Sequence, residues 1–184
     1  MNIIKKLCNN FGERGTWTPD VIVWHISGGT DKSMDSWFHT PNSQASAHYG
    51  IDLQNGDIYQ YVEENKKSWT CGNVKNPTSE IVKLRPNINP NLYTLNIENE
   101  GYDLSNASEL QLKSLFELTK DLAKRYNIPL DRKHIIAHWE IDSVTRNYCS
   151  SPNHLLMDKL VAKLNDEQVV SVPRKLLEEI SKYI

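Results

Sequence analysis

Hydrophobic and polar positions along this chain fall into blocks whose period changes from segment to segment. Asp20-Val21-Ile22-Val23-Trp24-His25-Ile26, closed by Ser27-Gly28-Gly29, is a β-branched apolar run ending in turn residues, which predicts a buried strand. A period of two places Val21, Val23 and His25 on one of its faces. Ser33 to His39 offers a serine cap and a short helical turn stopped by Thr40-Pro41. Ala47 to Leu53 and Ile58 to Val62 flank Gln54-Asn55-Gly56-Asp57, where the Asn-Gly pair supplies the positive φ angles of a tight hairpin.

Tyr93-Thr94-Leu95-Asn96-Ile97-Glu98 alternates strictly, with Leu95 and Ile97 on one face and Thr94, Asn96 and Glu98 on the other. One face is therefore core and the opposite face lines something polar. From Asn106 to Asn127, Leu112, Leu115, Phe116, Thr119, Leu122, Ala123 and Tyr126 recur at helical spacing. Asn106 and Glu109 suggest a capping-box start, and Pro129 stops the helix. Arg132 to His138 predicts a further strand, and a last helix from about Pro152 to Leu164 buries Leu156, Leu160 and Leu164. Strands interleaved with helices predict an α/β domain, a mixed central β-sheet flanked by helices, over residues 1–165. Residues 166–184 are expected to form a C-terminal linker and a short amphipathic helix.

Composition narrows the function classes. Of 184 residues, 39% are hydrophobic and 24% charged, which excludes a disordered chain. The 21 Lys and Arg against 23 Asp and Glu leave a net charge of −2, so no basic excess points to nucleic acid as a partner. A bilayer span needs about 20 mostly apolar residues, and the run around Val21-Ile22-Val23-Trp24 is far shorter, so no membrane partner is expected. At the N-terminus, Lys5 and Lys6 stand where the apolar core of a secretory signal should lie, so export, if any, is expected to use another route. Cys8, Cys71 and Cys149 are odd in number and lack a CxxC pair, unlike a disulfide framework or a closed zinc site.

Three residues nonetheless offer metal-binding chemistry. His25 interrupts an apolar strand just before a Ser-Gly-Gly loop, where a cleft opens at the end of a sheet; a core histidine bonded to a carbonyl is the competing interpretation. His134 and His138 are four apart, but on a strand that separation is about 13 Å, too far for one ion. His138, at the strand end beside Trp139 and Glu140, is the better placed of the two. Cys149 follows it across the polar loop Asp142 to Tyr148, long enough to fold back. His25, His138 and Cys149 together make two imidazoles and a thiolate, a catalytic-type zinc set that keeps a position for water, and Glu98 offers a carboxylate for proton transfer.

His25 at the end of its strand, Ser46-Ala47-His48-Tyr49-Gly50-Ile51-Asp52-Leu53-Gln54-Asn55-Gly56, Trp69 before Cys71-Gly72, Asn96-Ile97-Glu98-Asn99-Glu100-Gly101, and His138 with Cys149 resemble, in order, the zinc-dependent N-acetylmuramoyl-L-alanine amidases of the second type. These share the fold of peptidoglycan recognition proteins and serve as catalytic domains of phage endolysins and bacterial autolysins. The resemblance, over about residues 18 to 164, implies Zn2+ on His25, His138 and Cys149 and a catalytic glutamate at Glu98. It implies bacterial peptidoglycan as substrate, cut between the lactyl group of N-acetylmuramic acid and L-alanine. It also implies action at the cell wall, reached by a holin or by lysis.

Two positions depart from the family pattern. Many members carry a lysine two residues before the last ligand, where this chain has Asn147 with Arg146 adjacent. Several have a tyrosine at the place of His48; Tyr49 is next to it but by alternation points away. Arg146, or His48 if protonated, is thus the expected oxyanion stabiliser. The competing readings are a peptidoglycan-binding module of the same fold that does not cut, and an interaction protein with a core cysteine and no metal.

Overall fold

A computed structural model of the chain describes residues 1–166. Apart from Asp166, the linker and amphipathic helix expected over 166–184 lie outside the described residues. The chain runs through β1 (Ile3–Lys5), β2 (Phe11–Glu13), β3 (Val21–Ile26), α1 (Asp31–His39), β4 (Tyr49–Ile51), β5 (Ile58–Gln60), β6 (Lys66–Ser68), α2 (Glu80–Lys83), β7 (Thr94–Asn99), α3 (Glu109–Tyr126), β8 (Ile135–Ala137) and α4 (Leu155–Leu164).

Six strands make one mixed sheet in the order β1-β5-β4-β7-β3-β8, with β4 and β5 antiparallel and all other neighbours parallel. The crossover from β7 to β8 uses α3, as parallel pairing demands. β2 and β6 form a separate antiparallel ribbon.

Alternation splits the sheet into two unlike faces. Ile22, Trp24, Leu95, Ile97, Ile135 and Ala137 pack under α3 and α4 against Leu112, Leu115, Leu122, Leu156 and Leu160. Each such fully buried aliphatic side chain stabilises the fold by roughly 1.5–3 kcal/mol. Trp24 is buried there because its indole N–H donates to Thr119 Oγ1 at 3.1 Å, so Thr119 serves α3 as an acceptor inside its apolar stripe. On the opposite face, Val21, Val23 and Ile136 meet Cys71, Ile81, Val82 and Ile141 at one end, while α1 brings Met34 and Phe38 to Tyr59 and Tyr61 at the other. Between these two clusters the same face carries His25, His48, Asn96 and Glu98.

Register places those polar groups side by side. β3 and β7 pair Val23 with Asn96 and His25 with Glu98, while β4 sets Gly50 against Glu98. A Cβ on Gly50 would lie 2.7 Å from Met34 Cε, so the absence of a side chain there lets α1 close over the sheet beside Glu98.

Several local expectations shift. The cap of α1 is Thr30, whose hydroxyl accepts from Ser33 N–H, so the helix begins at Asp31 and Ser33 lies inside it. α3 begins at Glu109 with Ser108 as its cap, and Asn106 belongs to the preceding 3₁₀ turn. In the β4–β5 connection only Gly56 has positive φ, at 71°. The loop closes through Asp52 Oδ1, which accepts from Gln54 and Asn55 N–H, rather than through an Asn-Gly two-residue turn. The strand expected over Arg132 to His138 is shortened to Ile135–Ala137, because His138 enters a 3₁₀ turn. β1, β2 and β6 have only three residues each and carry polar side chains, too short for alternation to reveal.

Candidate active site

β3 delivers His25 at its carboxyl end, with the ring fully buried. The 3₁₀ turn after β8 delivers His138, and the loop that follows folds back so that Cys149 reaches the backbone of Ile26. His25 Nδ1 lies 3.1 Å from His138 Nδ1 and 3.8 Å from Cys149 Sγ, and the three potential ligand atoms lie within 4.8 Å of one another. Neighbouring ligand atoms around one small cation, with bonds of ~2.0–2.3 Å, are separated by about 3–4 Å.

The outer nitrogen of each ring fixes its tautomer. His25 Nε2 faces Asn96 Oδ1 at 3.0 Å and His138 Nε2 faces the Cys71 carbonyl at 3.3 Å, so both Nε2 atoms are donors. Both Nδ1 lone pairs therefore point at the same space. Two bare lone pairs 3.1 Å apart repel unless a cation lies between them, so this donor set fits a metal ion. Burial, and then the facing His138 ring, holds the pKa of His25 well down, while burial and Arg146 lower that of His138 to about 4. Both rings are neutral, the form that ligates.

Glu98 Oε1 is 3.9 Å from His25 Nδ1, a contact rather than an ion pair because His25 is neutral. Its other oxygen is buried without a hydrogen-bond partner among the described residues. Burial pushes the Glu98 carboxyl up to about 8, with Arg146 opposing, and burial pushes the Cys149 thiol up to about 12, with Glu98 adding to the effect. Arg146 is exposed, and its guanidinium makes no hydrogen bond or ion pair among the described residues.

These groups open onto a cleft of about 390 Å3 whose lining includes Glu98, His138, Arg146 and Cys149 on one side and Met34, Trp37 and Phe38 of α1 on another. Five of the six site residues expected from the sequence thus meet: His25, His138, Cys149, Glu98 and Arg146. His48 lies apart from the cleft lining, fully buried. Its Nδ1 accepts from Asn96 N–H at 3.0 Å, leaving its proton on Nε2, which faces the Lys66 carbonyl at 3.1 Å and the Arg14 guanidinium at 2.9 Å. Burial and Arg14 lower its pKa to about 3, so it carries no charge to offer an oxyanion. Tyr49 points away, with its hydroxyl on Glu64. His134 is bonded to Asp131 at 2.7 Å, apart from His25, His138 and Cys149. Sequence reasoning missed the roles of Asn96 and the Cys71 carbonyl in orienting the histidines. The polar-face position of Asn96 was a usable signal; the Cys71 contact spans 67 residues and had none.

A mixed sheet with two histidines and a cysteine converging beside a buried carboxylate defines an α/β protein whose cleft carries a set of side chains able to hold a metal ion. The chain belongs to the N-acetylmuramoyl-L-alanine amidase family, whose model matches residues 15–152. It is similar to N-acetylmuramoyl-L-alanine amidase A of Achromobacter lyticus, 30% identical over 122 residues, covering 65% of this chain and 59% of that protein. Among solved structures it resembles an AmpD selenomethionine derivative (20% identity, 86% of this chain and 93% of that one, TM-score 0.66). A mutant endolysin from Bacillus subtilis is also similar (20%, 89% and 99%, 0.63). So is the N-acetylmuramoyl-L-alanine amidase LysC from Clostridium intestinale (20%, 90% and 98%, 0.62). At these identities the structural likenesses bear on the fold.

Proposed function

We propose that this chain is a zinc-dependent peptidoglycan hydrolase that cuts the amide bond between the lactyl group of N-acetylmuramic acid and L-alanine of the stem peptide. The observation that carries the reading is the convergence of two bare Nδ1 atoms and the Cys149 thiol beside Glu98 at the floor of an open cleft. His25, His138 and Cys149 would hold the zinc. Held there, zinc would supply Lewis acidity to polarise the amide carbonyl and to make water acidic enough to attack near neutral pH.

The protein's own groups do the rest. Glu98, whose Oε1 lies 3.9 Å from His25 Nδ1 and whose other oxygen has no partner among the described residues, accepts the proton of the attacking water and returns it to the leaving amide nitrogen. Arg146, unpaired at the cleft, is the cation available to a developing oxyanion, whereas neutral, buried His48 supports the sheet beneath. The wall of α1 gives the cleft an apolar side against which the substrate can be held, and the action is at the bacterial cell wall.

Mass spectrometry of purified muropeptides after digestion tests the reading. Expected products are a stem peptide with a free L-alanine amine and a glycan keeping its lactyl group, with activity lost on chelation and regained with zinc. Retention of muropeptides without cleavage by zinc-loaded protein points instead to a binding module.

A further inference from the structure

The metal-site reading requires His25 to carry its proton on Nε2, and a ring does not choose its tautomer alone. We propose that Asn96 is the positioning residue that selects this tautomer, and that the Asn96 side-chain amide is itself held in one orientation by Thr94, Ser68 and Cys71. The inference rests on the metal site proposed above and extends it to residues outside the ligand set.

The orientation follows from tracing donors. Asn96 is fully buried in β7. Its Nδ2 lies 3.0 Å from Thr94 Oγ1 and 3.0 Å from Ser68 Oγ. Thr94 spends its hydroxyl proton on the Pro90 carbonyl at 2.9 Å, so toward Asn96 it is an acceptor and the group facing it must be the NH2. Ser68 lies 2.7 Å from Thr70 Oγ1 and 3.2 Å from His48 Nδ1. Thr70 gives its own proton to the Ser46 carbonyl, and His48 Nδ1 already accepts from a backbone N–H. The single Ser68 proton therefore goes to Thr70 Oγ1, the nearer acceptor, and Ser68 too accepts from Asn96.

The amide oxygen then faces the other way, toward His25 Nε2 at 3.0 Å and Cys71 Sγ at 3.2 Å. An amide oxygen can only accept, so the Cys71 Sγ–H donates to it. An amide turned by half a rotation would present an N–H to His25 Nε2, move the ring proton to Nδ1 and aim it at His138 Nδ1, where no metal could then be held by both rings. Cys71 links the two histidines, since its carbonyl receives His138 Nε2–H while its thiol touches the oxygen that receives His25 Nε2–H. The Asn91 side chain anchors this segment by accepting Cys71 N–H at 2.9 Å.

Two measurements test this on the full chain. Nitrogen-15 NMR of the zinc-free protein reports the tautomer of His25: the wild type should show Nε2–H alone, and Asn96→Ala a mixture of both tautomers. Zinc titration against a chromophoric chelator should show Asn96→Ala weaker by about 10–100-fold. Asn96→Asp keeps an acceptor toward His25 but sets its second oxygen against Thr94 and Ser68, and should therefore lose less than Asn96→Ala while keeping the Nε2–H tautomer. A single Nε2–H tautomer with wild-type zinc affinity in Asn96→Ala overturns the proposal, as does equal loss in Asn96→Ala and Asn96→Asp. Should Asn96→Ala fail to fold, the double variant Thr94→Val with Ser68→Ala removes both acceptors of the amide NH2 while leaving Asn96 in place; a mixed tautomer supports the selector and an unmixed one removes it. A wild-type chain that takes up no zinc overturns the metal-site reading instead.

Discussion

His25 and His138 turn their Nδ1 atoms toward each other at 3.1 Å while each outer nitrogen is bonded to an acceptor of the protein. They come from strands on the same side of the sheet centre, β3 and the turn after β8, which pair in parallel from Ile22 to Trp24. Two bare lone pairs at that distance are costly in isolation and favourable around a cation, which is what the proposed metal site would supply.

Of the three proposed zinc ligands, Cys149 is the one most readily replaced without disturbing the sheet, because it lies on a loop. Cys149→Ser exchanges a thiolate donor for a hydroxyl that stays protonated, and should lower zinc affinity by at least about 10–100-fold. Elemental analysis of the purified variant after dialysis checks this; full occupancy with full activity refutes the ligand set.

Glu98→Gln keeps the shape of the side chain and removes its ability to take a proton. Turnover should fall by roughly two to four orders of magnitude while zinc content and thermal midpoint stay close to wild type. Wild-type rates place proton transfer elsewhere, and a large fall in the thermal midpoint makes Glu98 a structural residue.

Arg146 is exposed and unpaired, so Arg146→Ala should leave stability within about 0.5 kcal/mol. Steady-state kinetics on a soluble muropeptide should show kcat reduced with KM little changed, the pattern of a group acting on the transition state. A rise in KM at constant kcat assigns it to holding a stem-peptide carboxylate, and unchanged kinetics leave it outside the site.

His48 links pH to stability. Burial and Arg14 lower its pKa in the fold from an ordinary 6.5 to about 3. Between those values the unfolded chain binds the extra proton, so falling pH favours unfolding. The contribution is intact above the unfolded value and is lost on acidification, by about 1.4 kcal/mol per pH unit. His48→Asn retains an acceptor for Asn96 N–H and cannot titrate. Urea unfolding at about pH 7 and about pH 5 should show its pH-dependent loss smaller than wild type by roughly 1–2 kcal/mol. Equal losses in the two proteins put the titration elsewhere.

Periodicity alone exposed the parts of this protein whose physics is local. The strand that ends in His25, the strict alternation that sends Glu98 and Asn96 to the polar face, and the long helix behind them all follow from side-chain spacing, because burial of one face requires it. Residue chemistry also brought out His25, His138, Cys149 and Glu98, and the family resemblance added Arg146; the fold gathers them at one cleft. Caps and turns moved by a few residues, since Thr30, Ser108 and Asp52 compete with equally plausible neighbours and only geometry chooses among them. The short strands and the fate of His48 were decided by tertiary structure. A histidine just before β4 looks the same in sequence whether it meets solvent or Arg14, and the guanidinium that neutralises its role comes from 34 residues away. The tautomers of the two site histidines belong to the same class. They are set by Asn96 and the Cys71 carbonyl, contacts made across 71 and 67 residues, which exist only once parallel pairing has brought β3, β7 and β8 into register.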